Sequence, residues 1–216
     1  MATRKLTRSA ADFLPASHSL SALRRAAARC RGCDLYKDAT QTVFGEGKAR
    51  AAVMLVGETP GDREDIEGHP FVGPAGKLLD KAMAAAGIPR GDVYITNAVK
   101  HFKYVERGKR RIHAKPKQLE IRACRPWLEA EIRAVRPRVL VAMGATAAQT
   151  LLGPTFRLTK HRGEVLSSEL APRIVVTVHP SSILRAPDDE TRHREMANFI
   201  EDLRSVSPLL HERAAS

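Results

Sequence analysis

The sequence predicts an α/β fold: a three-layer α/β/α domain with a central four-stranded parallel sheet. Three observations lead there. Four short apolar runs are continuous rather than alternating, as suits parallel strands buried on both faces. Helical patterns fill much of the chain between them, and strand–helix alternation closes through right-handed crossovers. With 216 residues the chain can bury the core of one such domain.

Residues 1–17 are basic, polar and without clear periodicity, so they are expected as a mobile arm before a single domain over 18–207, with 208–216 as a tail. The first apolar run is Ala51-Ala52-Val53-Met54-Leu55-Val56. A helix follows from Pro74, whose missing N–H costs nothing in a first turn. Leu78, Leu79, Ala82, Met83 and Ala86 form its stripe and Gly87 closes it. The second run is Val93-Tyr94-Ile95-Thr96. A long helix is expected from near Lys117 to Val135 with Trp127 and Leu128 inside, then the third run, Val139-Leu140-Val141-Ala142-Met143. A short helix covers Thr146 to Leu152 and stops at Gly153. After the fourth run, Ile174-Val175-Val176-Thr177-Val178, the last helix is capped by Asp188 or Asp189 and buries Met196, Phe199, Ile200 and Leu203.

The formal net charge is +12, and +7 of it falls between Lys100 and Lys117, where eight Lys or Arg face one acid, Glu106. Such a block is either a nucleic-acid patch or a solvated loop. A polyanionic partner held through salt-dependent counterion release is expected. No apolar run approaches the roughly 20 residues of a membrane helix, and no signal-peptide core opens the chain, so a cytoplasmic protein is expected. Three cysteines cannot pair completely. Cys30 and Cys33 form a C-x-x-C that, inside a cell, points to metal or redox use.

In an open parallel sheet the ligand site lies beyond the carboxyl ends of the strands. Strand one runs into Gly57-Glu58-Thr59-Pro60-Gly61-Asp62, strand two into Asn97, strand three into Gly144-Ala145-Thr146, and strand four into His179-Pro180-Ser181-Ser182. A carboxylate, an amide and an imidazole therefore converge on one crevice. Singly each could be a cap, a turn residue or a satisfied histidine, and Phe71 alone is more often core than platform.

Gly57-Glu58-Thr59-Pro60-Gly61 with Pro70-Phe71-Val72-Gly73, then Thr96-Asn97, then His179-Pro180-Ser181, resemble the motifs of the uracil-DNA glycosylase superfamily. The chain looks like its iron-sulfur branch, family 4, and like the UdgX subgroup within it, whose hallmark matches Lys109-Arg110-Arg111-Ile112-His113 throughout. The resemblance implies excision of uracil, preferentially from single-stranded DNA, with free uracil as a product. An enzyme acting on a base in DNA must flip it out and read its Watson–Crick edge. Asn97 can accept from N3–H and donate to O4. Phe71 would stack on the ring, the backbone near Gly57 and Thr59 would complete the pocket, and His179 would donate to O2 as charge collects on the leaving base. Glu58 would face the cationic sugar or act as a base. Thr59 departs from the family pattern.

In the subgroup the histidine matching His113 attacks C1′ in place of water and leaves protein joined to the abasic sugar. Lys109, Arg110 and Arg111 are expected to lower its pKa and hold phosphate. Thr146, Ser181, Ser182 and Arg185 are further candidate phosphate contacts. Leu184 is a candidate wedge for the gap left by the flipped nucleotide, and His161-Arg162-Gly163 a further candidate lining of the site. Cys30, Cys33 and Cys124 supply three thiolates. In the family 4 pattern a cysteine follows the Asn-bearing strand and a lysine, and His101 takes that place here. The implied set is Cys30, Cys33, His101 and Cys124 around a [4Fe-4S] cluster. Cys₃His is equally a zinc signature, and only the resemblance favours iron. Two alternatives stay open: a conventional multi-turnover glycosylase, and a non-enzymatic metal-dependent nucleic-acid binding module. A monomer is expected.

Overall fold

The computed structural model describes residues 8–211. Among these residues eight strands form two sheets: β1 (Glu46–Gly47), β2 (Val53–Gly57), β3 (Val93–Asn97), β4 (Tyr104–Arg107), β5 (Arg110–His113), β6 (Val139–Met143), β7 (Val165–Ser168) and β8 (Ala171–Thr177). The main sheet has six strands in the order β1-β3-β2-β6-β8-β7. Its inner four, β3, β2, β6 and β8, are mutually parallel and come from the four apolar runs. The expected four-stranded sheet is therefore the centre of a larger mixed one. β1 and β7 add antiparallel edges. Their side chains are half-buried to exposed, so they carry no continuous apolar signal.

Among the described residues nine α-helices accompany the sheets: α1 (Leu20–Ala27), α2 (Asp62–Glu67), α3 (Pro74–Ala85), α4 (Gln118–Val135), α5 (Ala145–Leu152), α6 (Leu158–His161), α7 (Pro180–Leu184), α8 (Asp189–Arg204) and α9 (Val206–His211). The four expected helices are α3, α4, α5 and α8; Pro74 opens α3 and Asp188 caps α8 through Thr191 N. Strand alternation divides the core. Val53 and Leu55 of β2 face the layer of α3 and α8, packing with Leu79, Phe199 and Leu203. Met54 and Val56 face α4 and α5, packing with Leu128, Ile132 and Leu151. Burying each large apolar side chain contributes about 1.5–3 kcal/mol. On α8 Phe199 and Leu203 are fully buried while Met196 and Ile200 are half-buried at its edge.

A third, smaller cluster gathers Ala10, Leu23, Ala27, Cys30, Leu35, Val99, Cys124 and Trp127. Within the expected arm, Ser9 caps a single 3₁₀ turn over Ala10–Phe13, and Ala10 is completely buried. Residues 1–7 of that arm and 212–216 of the expected tail lie outside the described residues. Arg138 donates to the carbonyl of Leu209, so the chain is still attached to the domain at that point.

The basic stretch is a β-hairpin rather than an irregular loop. β4 and β5 pair antiparallel, with Arg107 opposite Arg110 and Tyr104 opposite His113. Gly108 takes the first of the two turn positions with φ 59°, where a glycine-first hairpin turn demands positive φ. The period of two puts Arg111 and His113 on one face with Tyr104 and Glu106. Val105 and Ile112 share the other face and are exposed.

Candidate active site

The carboxyl ends of β2, β3, β6 and β8 bring the expected polar residues together. Ala98 N donates to Gly57 O at 2.9 Å and Val99 N to Glu58 O at 3.0 Å, which locks the exit of β3 against the exit of β2. A Cβ on Gly57 would stand 2.3 Å from Asn97 Oδ1 and 2.7 Å from Phe71 Cζ. Only glycine therefore lets the amide and the ring approach one another. Asn97 is 2 % exposed, and its Oδ1 is buried without a hydrogen-bond partner. An orphaned buried acceptor costs about 1–3 kcal/mol, a cost that a ligand donor would remove.

Phe71 has φ 58°, a left-handed backbone that a bulky residue rarely adopts. Gly76 accommodates it, since a Cβ there would lie 1.6 Å from the Phe71 carbonyl oxygen. Glu64 joins the two loops flanking the ring. Its Oε1 accepts from Gly73 N at 2.8 Å and its Oε2 from Gly61 N at 3.1 Å.

His179 caps α7. Its Nδ1 accepts from Ser181 N at 3.1 Å, so the remaining proton of the neutral ring sits on Nε2, free to donate. Burial pushes its pKa down to about 4, helped by His113 and Arg185. The ring stacks on Phe71 with centroids 5.9 Å apart and planes 29° apart. At neutral pH it is an uncharged donor beside an aromatic platform.

His113 Nε2 lies 3.7 Å from Glu58 Oε1. The hairpin thus delivers its histidine to the carboxylate at the end of β2. The His113 side chain is 45 % exposed. Its pKa is lowered, first by burial and further by Arg185, against the raising influence of Glu58 and Glu64. Burial and Arg185 do this, not the Lys109, Arg110 and Arg111 cluster expected to. Glu58 Oε2 accepts a short hydrogen bond from Thr146 Oγ1. The expected phosphate role of Thr146 gives way to orienting Glu58, because its hydroxyl is already engaged and the residue is 2 % exposed.

The basic stretch separates into two kinds of cation. Lys100 is buried against Glu131, and Lys103 pairs with Glu120. Arg111 meets Asp62 and Asp65 at 2.6 Å each and stacks over Phe102 and Tyr104. Its charge is consumed in holding the hairpin to α2, so the expected phosphate contact is replaced by an anchor. Lys109 and Arg110 are exposed, as are Arg107, Lys115 and Lys117. Arg185 is exposed beside the two histidines. Leu184 is 40 % exposed while Ile183 is buried, which separates a core residue from a projecting one. Ser182 Oγ donates to His179 O at 2.7 Å, so this hydroxyl serves the turn. Thr59 Oγ1 donates to the carbonyls of His101 and Pro60, which leaves its backbone, and not its hydroxyl, for a base pocket. His161 pairs with Glu164, and Arg162 with Glu195 and Asp202, so these two are engaged with their own neighbours.

The three free cysteines share the third apolar cluster with Trp127. Cys33 and Cys124 feel one another and Cys30 electrostatically. Burial pushes Cys33 up to about 11 and Cys124 up to about 12. Lys100 N donates to Cys124 Sγ at 3.2 Å, and His101 is the next residue along. Burial also pushes the His101 ring down to about 4, and its Nε2 shares a 2.9 Å hydrogen bond with Thr42 Oγ1.

The sequence model of the uracil DNA glycosylase superfamily matches residues 44–204. The chain belongs to the uracil-DNA glycosylase superfamily. It is 38 % identical over 165 residues to a Type-4 uracil-DNA glycosylase of Pyrobaculum aerophilum, covering 73 % of this chain and 81 % of that protein. A Type-4 enzyme of Archaeoglobus fulgidus is 35 % identical over 176 residues, with 78 % and 85 % covered. One from Thermotoga maritima is 38 % identical over 165 residues, with 76 % and 82 % covered. This superfamily member has no described helix long and apolar enough to cross a membrane.

Sequence reasoning missed Glu64 and Asp65 of α2, which are buried and hold the Phe71 loop and the hairpin. Their signal was present as carboxylates three and four residues after Gly61, in a stretch read only as a polar acidic loop. It also missed the Lys100–Glu131 pair, whose members lie 31 residues apart and show no local pattern.

Proposed function

We propose that the protein is a uracil-DNA glycosylase of the UdgX kind: a cytoplasmic monomer that excises uracil, preferentially from single-stranded DNA, and is itself captured on the abasic sugar. The observation that carries this is His113 Nε2 at 3.7 Å from Glu58 Oε1, beside the crevice of Asn97, Phe71 and His179. A flipped uracil is read by Asn97, whose orphaned Oδ1 accepts from N3–H while Nδ2 donates to O4. Phe71 stacks on the ring. The glycosidic C1′–N1 bond breaks, its electron pair leaves with the base, and His179 Nε2–H donates to O2 as negative charge gathers there. His113 attacks with its ring proton on Nδ1, so the free lone pair of Nε2 forms the new bond to C1′ and the Nδ1 proton then passes to solvent, while Glu58, held by Thr146, faces the cationic sugar. Lys109, Arg110 and Arg185 contact phosphates, Ser181 and Ser182 shape the same edge, and Leu184 fills the vacated stack.

The protein should release about one equivalent of free uracil and then stop when uracil-containing oligonucleotide is in excess. Chromatography of the released base measures this. Linear release over many equivalents would instead mark a conventional glycosylase, with water as the nucleophile.

Adduct formation requires an unprotonated His113 ring. Its pKa lies below the usual 6.5, and His179 lies near 4, so both are neutral at pH 7. The rate of adduct formation is therefore expected to be flat from pH 7 upward. It should fall about tenfold per unit only once pH drops below the lowered His113 value. A single-turnover pH series checks this; an inflection at or above 6.5 contradicts it.

We further propose that Cys30, Cys33, Cys124 and His101 hold a [4Fe-4S] cluster. Three unpaired thiols belong to one sheltered apolar cluster, and a backbone amide already points at Cys124 Sγ. Among the described residues no three His, Cys, Asp or Glu close around a point tightly enough to grip one ion. The Cys₃His donor set suits zinc equally, and the resemblance to the family 4 iron-sulfur branch is what favours iron. His101 is neutral, and Thr42 occupies Nε2, which leaves Nδ1 to ligate. When bound, the cluster supplies the positive charge that lets buried thiols ionise, and its role is structural. Purified protein should be brown and contain about four irons; colourless protein with stoichiometric zinc would contradict the assignment.

A further inference from the structure

Asn97 carries base recognition in the function proposed above, yet its Oδ1 has no partner to orient it. Beyond its packing against Gly57 and Phe71, its direction comes from the backbone that bears it. That backbone is held from below by a buried ion pair. Lys100 and Glu131 are both 0 % exposed. The three ammonium protons of Lys100 match three acceptors: Thr96 Oγ1 at 2.6 Å, Asn97 O at 2.7 Å, and Glu131 Oε2 in a short contact. Glu131 Oε1 in turn accepts from Gly45 N at 3.0 Å, Tyr94 Oη at 2.9 Å and Thr96 Oγ1 at 3.1 Å.

Stability alone is a weak reason for such a pair, because well-packed neutral residues in its place are often as stable or more so. Its geometry has a direction, however. The only ammonium in the network bonds the carbonyl of the residue whose side chain lines the base pocket, and reaches it from three residues along the same turn. Rotating the Asn97 amide by half a turn would exchange acceptor and donor, so its aim decides whether uracil's edge is complemented.

We propose that the Lys100–Glu131 pair is a positioning device for base recognition, fixing Asn97 O so that Asn97 Oδ1 is aimed into the pocket. The inference rests on the uracil-reading role of Asn97. Lys100 touches no substrate; it acts through Asn97.

The test is the double variant Lys100→Met with Glu131→Gln. It is neutral, keeps an acceptor for Gly45, Tyr94 and Thr96, and removes the bond to Asn97 O. Expected results are a melting temperature close to wild type and unchanged affinity for a thymine-containing single strand. Single-turnover uracil release should be at least tenfold slower, and inhibition by free uracil at least tenfold weaker. Tyr94→Phe, which loosens the same network without touching Lys100, should leave uracil inhibition unchanged. Wild-type release and inhibition in the double variant would overturn the proposal. So would an equal loss of inhibition in Tyr94→Phe, which would mean general loosening of the core. Should the first variant fail to fold, Lys100→Leu with Glu131→Gln, which likewise offers Asn97 O no donor, takes the same measurements with the same two outcomes. If wild-type protein itself releases no uracil, the underlying functional proposal fails, an outcome distinct from either of these.

Discussion

His113→Ser is expected to abolish the covalent product while leaving uracil release. The loss follows from chemistry: the hydroxyl replacing the ring is shorter, and its oxygen is a weak nucleophile unless a base removes its proton. The remaining parts of the site are untouched. Asn97 still reads the base, Phe71 still stacks, and His179 Nε2–H still meets the departing charge. The space vacated beside Glu58 would admit water, which Glu58, oriented by Thr146, can accept a proton from. The adduct should therefore fall by at least ~10³-fold while free uracil accumulates past one equivalent, turning a stoichiometric reaction into a catalytic one. A denaturing gel and base chromatography on the same samples read both quantities. Loss of both together would mean that His113 belongs to excision itself.

The second large effect is at His179. Its Nδ1 is occupied by Ser181 N and burial keeps the ring neutral, so Nε2–H is a fixed donor, already oriented before any base arrives. Removing a pre-oriented donor from a developing anion typically costs about 10²–10³-fold in rate. His179→Ala is expected to slow single-turnover uracil release by that factor. Affinity for thymine-containing single strands should be unchanged, because the exposed cations of the hairpin remain. The Phe71 ring loses its stacking partner in the same variant. His179→Asn, which restores a donor without the imidazole, separates the two contributions by recovering part of the rate. A rate unaffected by either substitution would place the stabilising donor elsewhere.

The inner sheet was legible because continuous apolar runs have one good structural explanation, and the helices between them carry caps and stripes within a few residues of one another. Gly57, Glu58, Asn97 and His179 stood out in the sequence for a related reason: each ends a strand or lies within two residues of a strand end, and a parallel sheet gathers its strand ends. What escaped depends on contacts distant in sequence. Arg111 reads as one of several cations in a row, and only the approach of Asp62 and Asp65 to the hairpin shows that its charge is spent on anchoring. Thr146 reads as a hydroxyl at a helix start, and only Glu58, 88 residues earlier, shows what it holds. The hairpin has a local signal in Gly108 between residues of alternating character, but the dense positive charge on both strands masks the period of two. The edge strands β1 and β7 are half-exposed, so composition does not distinguish them from loop.

Histidine capture is tested most directly by mass spectrometry of protein incubated with a short uracil-containing single strand, followed by proteolysis and peptide mapping. The expected result is a protein mass increased by the oligonucleotide less its uracil, with the sugar attached to the peptide bearing His113, and no such species with thymine in place of uracil. Uracil release with unmodified protein, or attachment at any residue other than His113, would contradict it.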